Sequence, residues 1–123
     1  MRTLLLACVA AALVLEPTGS DAKAVVGRSA VIGTWTVEGG SCAGDTAEVF
    51  RADGTYGGRD YEGHWALRGD QLTRTVEASG EPGEAVKPVR PAQSSVSTVM
   101  RLAPRILVER SRDGSVHHLH RCP

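Results

Sequence analysis

Three of the chain's four histidines crowd its end, at His117, His118 and His120, and the fourth is His64. Imidazoles are the commonest metal ligands, so their spacing decides whether a metal is expected. In an extended strand, residues two apart share a face. His118 and His120 therefore point together, and His117 points the other way. Two ligands fall short of the three that a catalytic zinc keeps and the four that a structural zinc takes. His64 would add a third only if its strand faced the same way. Solvated histidines on a terminal strand are the expectation, with His118 and His120 the weak alternative as a metal pair. No cofactor is expected.

The other reactive side chains point away from catalysis. No serine sits in a nucleophile-elbow pattern. Asp53, Asp70 and Asp113 each neighbour a glycine, in settings where Asp serves the backbone of a turn. The chain is expected not to be an enzyme. Arg74 is different, because it lies between Leu72 and Val76 at a spacing of two. A charge on an otherwise apolar strand face belongs at the mouth of a barrel or in a pair inside it.

The cysteines depend on the cell compartment. Met1-Arg2 precedes an apolar run from Leu4 to Leu15, followed by Pro17, Thr18, Gly19 and Ser20. One cation and a short apolar run are the first two regions of a signal peptide. Small residues at the required spacing allow cleavage after Ala22 or Ala24, so residues 1–24 are read as a signal peptide and 25–123 as the mature domain. Leu5-Leu6-Ala7-Cys8 has the form of a lipobox, but the apolar run continues well past Cys8, which disfavours a lipoprotein. The expected location is exported, periplasmic or extracellular. Of three cysteines, Cys42 and Cys122 then remain. An even number in an oxidising compartment favours a disulfide, with two free thiols as the alternative.

Charge is divided along the chain. Residues 25–86 hold five arginines and ten acids, whereas residues 87–123 hold seven cations and two acids. The formal net charge is zero, which argues against a nucleic-acid partner. The two halves are expected to neutralise each other across a closed sheet. A basic face is the alternative.

These residues need elements to hold them. No helix-period stripe follows the signal. Short runs bounded by Gly, Asp and Pro take its place, which is an all-β pattern. Strands are expected at Ile32–Val37, Thr46–Arg51, Thr55–Tyr61, Gly63–Arg68, Gln71–Ala78, Ser95–Leu102, Arg105–Ser111 and Ser115–Cys122. Asp53-Gly54 and Asp113-Gly114 are hairpin turn signals. Ser79–Ala92 carries three prolines and is expected to be a long loop. Val96, Thr98, Met100 and Leu102 are read as one inward face. The whole is an eight-stranded antiparallel up-and-down meander, closed as a barrel or left as a strongly curved sheet.

Gly33-Thr34-Trp35 resembles the Gly-x-Trp signature of lipocalins and the wider calycin group. Val49–Tyr56 and Gly63–Thr73 resemble small bacterial secreted lipocalin-like domains, most of which have no assigned activity. A weaker likeness is to bacterial metalloprotease-inhibitor barrels, which place a cysteine within several residues of the same tryptophan, as Cys42 follows Trp35. The resemblance implies that Gly33, Trp35 and Arg121 are structural, with an arginine of the last strand, Arg121 or else Arg110, stacked over Trp35. It also implies a barrel closed at the Trp35 end.

The function expected is non-enzymatic binding of a small apolar or amphipathic anionic molecule, or of an envelope component. Arg74, Lys87, Arg90 and Met100 would line that site near the proline-bearing loop. The alternative is inhibition of a secreted protease through the tail Val25–Val31 or through the loop. A ligand-free interaction module is the third reading. The protein is expected to be a monomer.

Overall fold

The computed structural model describes residues 27–123; the expected signal peptide, Cys8 and the two expected cleavage positions lie outside the described residues. After a single-turn helix, α1 (Arg28–Val31), eight strands follow in order. They are β1 (Gly33–Val37), β2 (Glu48–Phe50), β3 (Thr55–Gly57), β4 (Tyr61–Arg68), β5 (Gln71–Ser79), β6 (Lys87–Ala103), β7 (Ile106–Ser111) and β8 (Val116–Arg121). Each pairs antiparallel with the next, and β8 returns to β1, so the sheet is a closed barrel. The closing register sets Trp35 opposite Arg121 and Val37 opposite Leu119.

The Asp-Gly turns form where expected. Gly54 and Gly114 take φ of 88° and 89°, a region glycine enters without steric cost. Asp53 Oδ1 accepts the Thr55 N–H at 2.9 Å, and Asp113 Oδ1 accepts the Ser115 N–H at 2.9 Å. Cys42 and Cys122 are bridged, with Cα atoms 5.7 Å apart. The bridge fastens the β1–β2 connection to the residue after β8, on the outside of the closing seam. Thr36 is buried at this seam and shares a 2.9 Å hydrogen bond with Thr46.

Three expectations need correction. The proline-bearing stretch is mostly strand: only residues 80–86 connect β5 to β6, and Ala78 pairs with Pro88. Up to Val96 this part of β6 pairs only with β5, because pairing with β7 begins at Ser97. It is an edge, where a proline's missing N–H costs little. Next, the inward face of β6 is Ser97 and Val99, both buried. A register shift between Val99 and Arg101 then changes the phase, so Leu102 packs on the core while Met100 is 48% exposed. Last, the acidic and basic halves do not pair as expected. Among the described residues, none of Arg101, Arg105, Arg110 and Arg112 forms an ion pair. The one ion pair between the halves runs from Arg74 to Glu109, with the signs reversed.

The aromatic residues fill one end of the barrel. Val31 of α1, Trp35, Phe50, Trp65, Leu72 and Leu107 are buried there. Phe50 meets the edge of Trp65 at 5.4 Å between centroids, a favoured aromatic geometry. The Trp35 indole N–H donates to the Val31 carbonyl at 2.8 Å, which fixes α1 as a plug. The Arg121 guanidinium lies 4.3 Å from the Trp35 ring centroid. It donates to the carbonyls of Ala30, Ile32 and Pro104 at 2.6, 2.6 and 2.7 Å. Gly33 has φ of 142°, and a Cβ there would run into that guanidinium. So Gly33, Trp35 and Arg121 form one device, in which the missing side chain of the first makes room for the third.

Candidate functional site

The other half of the barrel interior is polar. Side chains of β2, β5, β6 and β7 that alternate inward place Glu48, Arg74, Ser97 and Glu109 together, at or above the apolar layer. All three charged groups are close to fully buried, at 11% side-chain exposure for Arg74, 12% for Glu48 and 8% for Glu109. Arg74 donates to Glu48 through Nη2 at 2.7 Å and Nε at 3.2 Å, a two-point pairing that suits a planar guanidinium. Its Nη2 is also 3.0 Å from Glu109 Oε2, and its Nη1 donates to Ser97 at 3.3 Å. Ser97 in turn donates to Glu109 Oε2 at 3.1 Å. Tyr56 donates its hydroxyl to Glu48 Oε2 at 2.5 Å. Beneath, the Arg74 guanidinium lies 5.2 Å from the Phe50 ring centroid.

Burial works against the charge on Arg74, but the Glu48 and Glu109 carboxylates outweigh it and raise the arginine's pKa. Tyr56 is also pushed upward, first by burial and then by the negative charge of Glu48. Tyr61, likewise raised by burial, stands behind it. Both phenols are hydrogen-bond donors at any ordinary pH.

Above this cluster lies a cavity of about 640 Å³. Glu48, Arg74, Ser97 and Glu109 line it, together with apolar Val37, Val96 and Leu119, and with Ser95, Ser111, Arg112, Asp113 and His117. The opening is at the end of the barrel away from α1, bounded by the β7–β8 turn and the β1–β2 connection. The β5–β6 connection is at this same end, but residues 80–86 are not part of the lining.

Of the four residues expected to line the ligand site, only Arg74 lines this cavity. Lys87 is exposed on the outer part of β6. Arg90 lines a second concavity of about 900 Å³ with Arg51, His64, Glu77, Pro88 and Val89. Met100 points to solvent at the register shift. The structure therefore does not bring Arg74, Lys87, Arg90 and Met100 together. The second concavity is larger, but His64 and Glu77, which pair across β4 and β5, are about half exposed there. The barrel cavity is walled by buried ionised groups, which cost free energy to place and hold a fixed geometry.

The histidines separate. His117 lines the cavity and approaches the Ser115 hydroxyl at 3.1 Å, while His118 and His120 are exposed on β8. No group of three or more His, Cys, Asp or Glu side chains that could hold a metal occurs among the described residues. Sequence reasoning missed Glu48 and Glu109 as partners of Arg74. The available signal was alternation: Glu48 is two residues from Phe50, and Glu109 is two from Leu107. Each is a carboxylate in phase with a core residue.

Compared with the models of protein families, with curated proteins and with solved structures, the chain matches none. The fold and the cavity carry the functional argument alone.

Proposed function

We propose that this chain is an exported, lipocalin-like binding module that takes a small molecule into the open end of its barrel. The observation that carries the reading is the asymmetry of the interior. One end is sealed by α1, Trp35 and Arg121, and the other holds a cavity of about 640 Å³ over a buried ionised floor. That volume falls within the range of small-molecule sites, which combine apolar walls with a few placed polar groups. The Cys42–Cys122 bridge is consistent with an oxidising location. The Trp35–Arg121 stack and the Gly33 approach support the lipocalin likeness.

An anionic head group, the expectation raised by Arg74, gains little here. The guanidinium is already met by two carboxylates. The protease-inhibitor reading also draws less support. Val31 of the supposed tail is a buried plug, and the carbonyls of Ala30 and Ile32 anchor Arg121. Deleting Val25–Val31 would therefore unseat the barrel's closed end as well as remove a tail.

A second reading, surface recognition of an anionic envelope component, is favoured by one observation. Arg101, Arg110, His118 and His120 are exposed on the neighbouring strands β6 to β8, and no ion pair with another described residue neutralises the arginines. A fragment screen followed by amide chemical shifts separates the two. Binding in the barrel is expected to move Ser95, Ser97, Ser111 and His117 saturably and to leave Gly33 and Leu72 unmoved. Shifts confined to Arg101, Arg110 and His118 would reject the barrel site in favour of the surface.

A further inference from the structure

We infer that the barrel cavity selects a small amphipathic cation, a primary ammonium on an apolar body, and that Glu109 is the residue that receives it. The inference rests on the cavity being a ligand site.

The charge count on the floor comes first. Arg74 carries one positive charge, and Glu48 and Glu109 carry two negative charges, so the trio has one carboxylate in excess. Glu48 suffices as the partner of Arg74. It takes two guanidinium hydrogen bonds, and its Oε2 also takes the Tyr56 hydroxyl. Both of its oxygens are engaged.

Glu109 is different. Its Oε2 meets Arg74 and Ser97, but its Oε1 accepts no hydrogen bond from any described residue. No fully enclosed side-chain oxygen or nitrogen among the described residues lacks a partner, so Oε1 is not fully enclosed, and Glu109 lines the cavity. Leaving a buried carboxylate half satisfied is costly. A barrel that needed only to stabilise Arg74 would do better with a neutral acceptor at position 109.

The surroundings fit the rest of the ligand. Val37, Val96 and Leu119 give the cavity apolar wall, and Ser95 and Ser111 offer hydroxyls that accept as well as donate. At the rim, Arg112 and Asp113 cancel in formal charge, and the Asp113 carboxylate is already held by Ser115. The excess negative charge therefore sits at the floor. An ammonium entering head first would place one N–H on Glu109 Oε1 and its hydrocarbon against Val37 and Leu119. A carboxylate in the same pose would face the unpartnered Oε1 of Glu109.

Three probes of similar shape test this on the oxidised protein at neutral pH, read by amide shifts: 2-phenylethylammonium, 2-phenylethanol and 3-phenylpropionate. The ammonium is expected to shift Ser97, Glu109 and Ser111 saturably, and to bind at least about tenfold more tightly than either of the others, the size of one charge-assisted hydrogen bond. Glu109→Gln keeps the shape and removes the charge, and it is expected to abolish that preference. The alcohol or the carboxylate binding as tightly as the ammonium would overturn the inference while leaving the binding reading standing. So would an unchanged ammonium preference in Glu109→Gln. If none of the three moves the cavity amides, both the inference and the binding reading fail. The ranking on the unaltered protein decides the matter even if the variant does not fold.

Discussion

Arg121 at the plugged end and Arg74 beneath the open end both lie against an aromatic ring, yet they are satisfied by different chemistry. Arg121 donates to three backbone carbonyls, which are neutral and fixed by the chain. Arg74 donates to two carboxylates, which are charged and almost fully removed from water. The first arrangement is expected to tolerate the loss of its arginine better, because carbonyls at a barrel end can turn to water. The second does not, because removing the cation leaves two like charges in a medium that screens them poorly. The plugged end is built for closure. The open end keeps a costly set of ionised groups that a simple seal would not need.

The sharpest way to break this comparison is to replace each arginine by Met. Arg74→Met is expected to lower the unfolding free energy by about 3–5 kcal/mol, the range for stripping a buried ion pair of one partner. Arg121→Met loses a ring contact and hydrogen bonds to carbonyls, and about 1–3 kcal/mol is expected. Adding Glu48→Leu and Glu109→Leu to Arg74→Met is then expected to restore most of the loss, since packed apolar groups often match a buried ion cluster. Urea unfolding of the three variants checks the order. A larger loss at Arg121 than at Arg74 would overturn the comparison, and no recovery in the triple variant would mean that the ionised cluster holds the barrel together.

The disulfide is expected to act on both ends alike. It closes a span of 80 residues, and its effect falls mainly on the unfolded chain. Cys42→Ser with Cys122→Ser is expected to cost about 2–4 kcal/mol by denaturation. The bridge lies outside the β1–β8 seam, so the cavity should keep its lining, and probe binding should change less than twofold. If binding falls tenfold, the β1–β2 connection shapes the site more than its lining suggests.

How much of this was legible in the sequence follows from where the information is local. The Asp-Gly turns, the alternation of Leu72, Arg74 and Val76, and the pairing of Cys42 with Cys122 depend on neighbours in sequence or on compartment chemistry, and they predicted correctly. The meander predicted the closed barrel because eight short antiparallel strands remove their edges by closing. What failed was non-local. The inward face of β6 depends on a register shift against β7 at Val99 and Arg101, and a slip of one residue exchanges faces. The prolines of β6 predict a loop because nothing local says that this stretch lacks a second neighbour. Arg74 was found but its partners were not, since Glu48 and Glu109 come from strands that only the barrel brings within reach. The expectation of an anionic ligand rests on the same arginine counted alone, and the partners that meet its charge are the ones only the barrel supplies.

The smallest expected effect is a matched pair at the two ends. Asp53 sits in the β2–β3 turn beside the plug, and Asp113 in the β7–β8 turn at the open rim. Each is fully exposed. Each accepts a hydroxyl and an N–H from the residue two positions on, Thr55 for Asp53 and Ser115 for Asp113. The hydroxyl bond first, and the backbone bond second, holds each carboxyl below its ordinary value of 3.8. Nearby charge adds in the same direction, from Arg51 at the plug and from His117 at the rim. A lowered folded pKa means that each aspartate stabilises the fold above the unfolded carboxylate pKa, and that this contribution is lost as pH falls through the folded value. Carboxyl-carbon NMR titration should therefore give two midpoints below 3.8. Asp53→Ala and Asp113→Ala should lower stability at neutral pH and converge on the parent protein under acid. The two midpoints are expected to be similar, because the local turn rather than the end of the barrel sets them. A midpoint at or above 3.8 at Asp113 alone would show that the excess negative charge on the cavity floor reaches the rim, and would make the electrostatic difference between the two ends larger than the ion-pair geometry implies.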